Sequence, residues 1–167
     1  MLFNKEVLKN INLQLDEILL KILEFEARYQ SLIDNVHPNY KESAKNLVHY
    51  LAIRTFNNNE LQQILSKNGL PSASSSESHI LYSFIGLKTI ITSLLNEPDY
   101  KFEGNYLNQN TASELLKKHT NSVFGKPDKK RKTRIMVTQP TLASEDKDFA
   151  KELIENGMNC ARVNCAH

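Results

Sequence analysis

The sequence predicts a mainly α protein, in which an N-terminal helical bundle gives way near residue 121 to a strand–helix–strand unit. Two observations carry the helical part. Apolar residues recur at alternating spacings of three and four over long stretches, the period of one helix face. The glycines (Gly69, Gly86, Gly104, Gly125, Gly157) and the prolines fall mostly at the breaks between those stretches. A third carries the rest: after residue 121 a basic run leads into two short apolar segments separated by one helical period. With 167 residues, 40% of them hydrophobic, the chain has enough apolar content for a real core and too much for a disordered one.

The first helix is the most regular. Leu8, Ile11, Leu15, Ile18, Ile22, Phe25, Tyr29, Leu32 and Val36 form a seam of about four heptads, for a helix from about residue 4 to 35, and Leu19 and Ile33 widen it. A wider stripe favours bundle packing, and a helix this long needs something to cover it. The seam is either core or an oligomer contact. Pro38 suits a first helical turn, after which Ala44, Leu47, Val48, Leu51 and Thr55 line one face. Asn57 to Asn59 break the chain, and Leu61, Ile64 and Leu65 mark a short helix closed by Gly69. Ser74 and Glu77 have the spacing of a capping box for a helix with the stripe Ile80, Phe84, Leu87, Ile91 and Leu94. Residues 96 to 110 read as a linker. Thr111 and Glu114 form a second capping box, for a short helix ending near His119.

The next segment holds Lys126, Lys129, Lys130, Arg131, Lys132 and Arg134 against the single acid Asp128, although the whole chain carries only +2. Such a run is either a solvated linker or a basic approach to an anion-using site. No aromatic residue is interleaved to stack bases, so no nucleic-acid partner is expected. Beyond it, Ile135-Met136-Val137-Thr138 reads as a strand. Ser144 is placed to cap a helix with Glu145 and Asp146 in its first turn, and Gly157 stops that helix. Cys160-Ala161-Arg162-Val163-Asn164-Cys165 reads as a second strand. This spacing makes a βαβ unit with a parallel pair and a right-handed crossover.

Alternation puts Ala161, Val163 and Cys165 on an apolar face towards a helical layer, with Arg162 and Asn164 on the other. A guanidinium and a carboxamide near the C-terminal end of a parallel strand sit where α/β proteins bind ligands. Arg162 is there either to grip an anion or to form a structural ion pair.

These segments resemble the pyruvate kinase family. Thr133-Arg134-Ile135-Met136-Val137-Thr138, with Gly157-Met158-Asn159-Cys160-Ala161-Arg162-Val163-Asn164-Cys165-Ala166-His167, is similar to the opening of that family's (β/α)8 barrel. Residues 43 to 54, with Gly69-Leu70 and Ser76-Glu77-Ser78-His79, resemble a helical preamble found in a subset of bacterial pyruvate-kinase-like proteins. The two patches cover about two thirds of the chain.

The resemblance implies a helical domain at 1–120, a basic linker at 121–132 and the start of a barrel at 133–167. It implies glycolytic phosphoryl transfer from phosphoenolpyruvate to ADP, giving pyruvate and ATP, with Mg2+ and K+. Arg162 matches the arginine contacting the transferred phosphoryl group. Asn164 matches the nucleotide and potassium site, and His167 the nucleotide site. Ala166 stands where the family commonly has a serine that ligates the cation, and Gln139-Pro140 replaces a longer turn. A complete barrel takes roughly 250 residues, so the expectation is a truncated barrel, inactive by itself, from the N-terminal portion of a longer enzyme. The alternative is a helical interaction or oligomerisation module carrying a vestigial barrel segment.

The remaining chemistry is bland. His37, His49, His79 and His119 have no metal-ligand spacing and read as exposed or core-edge residues. Cys160 and Cys165 face opposite sides of one strand, so they suit neither a disulfide nor a zinc pair and are expected to be buried thiols. No apolar run approaches the ~20 residues of a membrane span. The N-terminus, with Glu6, lacks a secretory h-region. A cytoplasmic protein, with no membrane partner and a possible homo-oligomer contact in the helical domain, is expected.

Overall fold

A computed structural model describes residues 4–56, 59–127, 130–131, 133–146 and 148–165. The protein is mainly helical, as the periodicity predicts. Its contacts divide it into two units, Met1–Ser113 and Glu114–His167. The helices are α1 (Lys5–Asn35), α2 (Lys41–Arg54), α3 (Asn59–Lys67), α4 (Ile80–Leu95), α5 (Gln109–Phe124) and α6 (Phe149–Glu155); the strands are β1 (Met136–Thr138) and β2 (Cys160–Arg162). Helix α5 runs across the division between the units. No helix among the described residues is long and apolar enough to cross a membrane.

In the first unit, α1 starts where Asn4 accepts a hydrogen bond from the Glu6 backbone N–H at 2.9 Å. It ends at an extended Val36, two residues before Pro38. Its length, about 46 Å at 1.5 Å per residue, is covered by α2 and α4. Leu8, Ile11, Leu15, Ile18, Leu19 and Ile22 are buried there. The seam is core up to Phe25, but its last part turns: Leu32 is exposed and Ile33 is buried in its place. A straight helix drifts about 20° per heptad from a strict seven-residue repeat, and four heptads carry the stripe off the seam.

Helix α4 is buried on nearly every side, at Ile80, Leu81, Phe84, Ile85, Leu87, Lys88, Ile91, Thr92 and Leu95. Leu95, and not Leu94, closes the stripe. Asn96 follows with φ 58°, and the Glu97 N–H reaches back to the Thr92 carbonyl at 3.0 Å, which satisfies the last turn. Gly69 closes α3 in the same way, with φ +65° and the Leu70 N–H bonded to the Leu65 carbonyl at 2.9 Å.

Three local expectations are corrected. Helix α2 turns His49 and Ala52 inward, while Leu47 and Leu51, the expected inner face, are exposed. The Ser74–Glu77 box does not open α4; the Ile80 N–H is capped instead by Oδ1 of Asn46 at 2.9 Å, a side chain from α2. The Thr111–Glu114 box does not open α5 either, because Asn108 Oδ1 accepts from the Thr111 N–H at 2.9 Å and the helix begins at Gln109. It also continues to Phe124, so the start of the expected linker is helical.

In the second unit, β1 and β2 pair in parallel, with Met136 opposite Cys160, Val137 opposite Ala161 and Thr138 opposite Arg162. Helix α6 is the crossover. Ser144 does not cap it: residues Thr141–Ser144 form a 3-10 turn, and Asp146 Oδ1 accepts from the N–H groups of Asp148 and Phe149. Gly157 ends α6 at φ +100°, with the Met158 N–H bonded to the Leu153 carbonyl at 2.8 Å. Among residues 114 to 165, none whose side-chain burial is described is buried. Cys160 is half-buried and Cys165 exposed, both as free thiols, which corrects the expectation of buried ones.

Candidate functional site

The site the sequence points to lies at the C-terminal ends of the two strands. The ladder continues one step past β1, where the Gln139 N–H donates to the Arg162 carbonyl at 2.8 Å. Beyond Arg162 the chain leaves the strand, so residues 163 to 165 lie outside the ladder and strict alternation no longer governs them. A cavity of about 470 Å³ opens here, lined by Gln139, Thr141, Ser144, Ala161, Val163 and Asn164, with Ala150 of α6 among its walls. Because Ala150 shares it, this is the helix side of the sheet.

The structure therefore separates two residues expected on one face. Asn164 lines the cavity together with Ala161 and Val163. Arg162 does not line it: alternation from Ala161 sets its side chain on the opposite face, away from α6. There it is exposed, and its guanidinium forms no ion pair or side-chain hydrogen bond with the described residues. Among the described residues nothing supports the ion-pair reading of Arg162. The apolar face is not closed by packing either, since Val163 is 73% exposed. His167 and Ala166 lie outside the described residues.

The basic run divides by role. Arg131 is a clamp: its Nη2 donates to the Gly157 carbonyl at 2.7 Å and to Asn159 Oδ1 at 2.8 Å, and its Nε donates to the Thr133 carbonyl at 2.9 Å. Asn159 Oδ1 also accepts from the Ile135 N–H at 2.9 Å, so one carboxamide oxygen ties the clamp to the entrance of β1. Arg134 donates to the Gly125 carbonyl at 2.8 Å and to the Asn121 side chain. These guanidinium groups satisfy carbonyls rather than await a phosphate. Sequence reasoning missed this, because in a charge run nothing marks which arginine is bonded to backbone far along the chain. Lys129 and Lys132, and the acid Asp128, lie outside the described residues.

Among the described residues no three His, Cys, Asp or Glu side chains gather as a metal site. The strand-end cavity has neutral oxygens only, from Gln139, Thr141, Ser144 and Asn164. Mg2+ takes its protein ligands chiefly from carboxylates, so these residues do not fit the implied divalent ion. Asn164 is the one described residue of the implied potassium site, and one carboxamide does not make such a site.

The histidines also differ from expectation. His49 is buried beyond a core-edge position and contacts Glu26 at 2.7 Å; burial pushes its pKa down despite that partner. His79 is buried at the start of α4, with Ser78 Oγ 2.8 Å from its Nδ1.

No protein-family model, curated protein or solved structure matches this chain.

Proposed function

We propose that residues 133–165 are the opening strand–helix–strand of a pyruvate kinase-like barrel, and that the helical unit is an accessory N-terminal domain of that phosphotransferase. Substrates on this reading are phosphoenolpyruvate and ADP, with pyruvate and ATP as products. The observation that carries it is Arg162: an exposed guanidinium with no side-chain partner among the described residues, at the last position of a parallel strand, which alternation sets on the face away from the crossover helix. In a (β/α)8 barrel that face is the interior and that end is the catalytic mouth. Phosphoryl transfer needs charge neutralisation and positioning more than covalent chemistry by the protein, and a planar guanidinium supplies both to a phosphoryl group. Ile135, Met136, Ile154 and Val163, all exposed, are the surfaces that neighbouring strands and helices would cover. The motif resemblance supplies the substrate. Mg2+ and K+ come with that resemblance; Mg2+ would draw its ligands from outside the described residues, and so would K+ apart from Asn164.

Two strands do not close a barrel, so the 167 residues alone are expected to give no turnover in a lactate dehydrogenase-coupled assay. The test is the open reading frame that contains them. Read through in full, it is expected to form ATP from phosphoenolpyruvate and ADP, and Arg162→Ala is expected to lower kcat/KM at least 100-fold. A frame that encodes no further barrel strands, or a full product without this activity, overturns the reading.

A second reading, a helical interaction or oligomerisation module, rests on a different observation. Leu47 and Leu51 on α2, with Tyr40 just before it, and Leu13 and Leu20 on α1, are exposed at helical spacing. Light scattering of the chain tests it: a strict monomer across the accessible concentration range removes self-association.

A further inference from the structure

Apart from the strand ends, the helical unit holds a cavity of about 420 Å³ between the end of α2, helix α3, the loop before α4 and the first turns of α4. That volume is within the range of about 300–1,000 Å³ typical of small-molecule sites. Its walls are sorted by chemistry. Its apolar surface is that of the half-buried Ile53 and Phe56, backed by the core residues Ile80 and Phe84 at 2% and 1% exposure. Two charged side chains line it, Arg54 at the end of α2 and Glu77 in the loop.

Arg54 and Glu77 form no ion pair with each other, and neither side chain has a hydrogen bond or ion pair with any described residue. The Gln62 side chain, which also lines the cavity, holds the loop in place: its Oε1 accepts from the Ala73 N–H at 3.2 Å and from Ser72 Oγ at 2.9 Å. The loop bearing Glu77 is tied a second time, where Asn46 Nδ2 donates to the Glu77 carbonyl at 2.7 Å. The two charges are thus mounted on braced backbone beside one apolar surface.

We infer that this cavity binds a free α-amino acid with an apolar side chain. A lone cation in the wall would select an anion, and a lone anion an amine. One of each, unpaired, selects a ligand carrying both. The ligand carboxylate meets the planar donor fork of Arg54, its ammonium meets the carboxylate of Glu77, and its side chain lies on the half-buried Ile53 and Phe56. Burial of that side chain supplies the affinity, and the two charges supply the orientation. This site is independent of the phosphotransferase reading, since every residue in it belongs to the helical unit.

The test is calorimetric titration of the full chain with leucine and with phenylalanine, beside 3-phenylpropionate and phenethylamine, which each lack one charge. Saturable binding of at least one amino acid is expected, with both single-charge analogues at least tenfold weaker than phenylalanine or undetectable. Arg54→Gln and Glu77→Gln are each expected to weaken binding at least tenfold. Both side chains are exposed, so the ligand-free thermal midpoint should be unchanged, which separates lost recognition from lost folding. The inference is overturned if neither amino acid binds the folded chain, if an analogue with one charge binds as tightly as phenylalanine, or if either substitution leaves the affinity unaltered.

Discussion

Nε2 of His49 lies 2.7 Å from Oε2 of Glu26, and the second carboxylate oxygen of Glu26 lies 2.8 Å from Nζ of Lys45. One acid on α1 thereby holds two groups on α2.

These contacts set a pH dependence. Burial disfavours the imidazolium and lowers the His49 pKa, outweighing the pull of Glu26. For Glu26 burial acts to raise the pKa, but the hydrogen bonds and charges of Lys45 and His49 outweigh it and the carboxyl lies below its usual range. A group with a depressed folded pKa stabilises the fold above its unfolded value and loses that contribution as pH falls through the folded one. The ordinary values are 6.5 and 4.5, so stability should decline from near pH 6.5 downward, in two overlapping stages. Thermal melts followed by circular dichroism between pH 8 and 4 check this. Glu26→Gln should cost about 1–2 kcal/mol at pH 7 and remove the stage that belongs to Glu26 below about pH 4.5, while the decline from near pH 6.5 remains because His49 loses the partner that raised its pKa; a profile parallel to wild type would refute the assignment.

The Lys88–Asp16 pair predicts an asymmetry. Lys88 Nζ lies 2.7 Å from Asp16 Oδ2 and 3.2 Å from the Asn12 carbonyl, with the Tyr100 ring centre 5.8 Å away. The lysine side chain is 6% exposed and the aspartate 54%. Asp16→Asn leaves an ammonium desolvated without its counter-charge and should cost about 1–3 kcal/mol. Lys88→Met returns the aspartate to water and should stay within about 1 kcal/mol of wild type. Urea midpoints of both variants decide it, and the reverse ranking would contradict the burial assigned to Lys88.

On α1, Ile22→Ala should cost about 2–5 kcal/mol as a cavity in the core. Leu20→Ala, at a residue 60% exposed, should change stability by about 0.5 kcal/mol or less. Equal losses at the two positions would place a second covered face on this helix.

This contrast shows what the sequence could carry. The stripe of α1 was legible from Leu8 to Phe25 because about five consecutive turns repeat one pattern. The inner face of α2 was not, because Leu47 and Leu51 have the better hydrophobic spacing, and the buried His49 is stabilised by a partner 23 residues away. Both capping boxes failed for a related reason: Asn46 and Asn108 supply the acceptor first, and Asn46 does so from another helix. In the strand–helix–strand unit, Ala161 lines the strand-end cavity and Arg162 does not, as alternation expects of neighbours on a strand. Alternation failed for Asn164 because β2 ends at Arg162. The cavity of Arg54 and Glu77 left no local signal, since its walls come from segments that only tertiary packing assembles.

The Arg131 clamp gives a further prediction. A Cβ on Gly157 would meet Nη1 of Arg131 at 3.0 Å, on a backbone with φ +100°. Gly157→Ala should destabilise the local fold by about 1–3 kcal/mol. Arg131→Ala should act in the same direction by freeing the Asn159 carboxamide. Amide hydrogen exchange at Gln139 and Cys160 should quicken tenfold or more in both variants. Exchange at those amides as slow as in wild type would show that the clamp does not hold the ladder.

The enclosure of α4 has a consequence for how the chain assembles. Helices α1 and α2 are neighbours in sequence and can form a hairpin early, but the groove they leave is filled by α4, whose contacts to α1 span about 70 positions, as between Asp16 and Lys88. Closing so long a loop is slow relative to forming the hairpin. During synthesis the hairpin therefore emerges with its leucine and isoleucine face bare, and it stays bare until Leu95 has cleared the ribosome. That interval is when the nascent chain is most open to chaperone capture or to misassembly with its neighbours on a polysome.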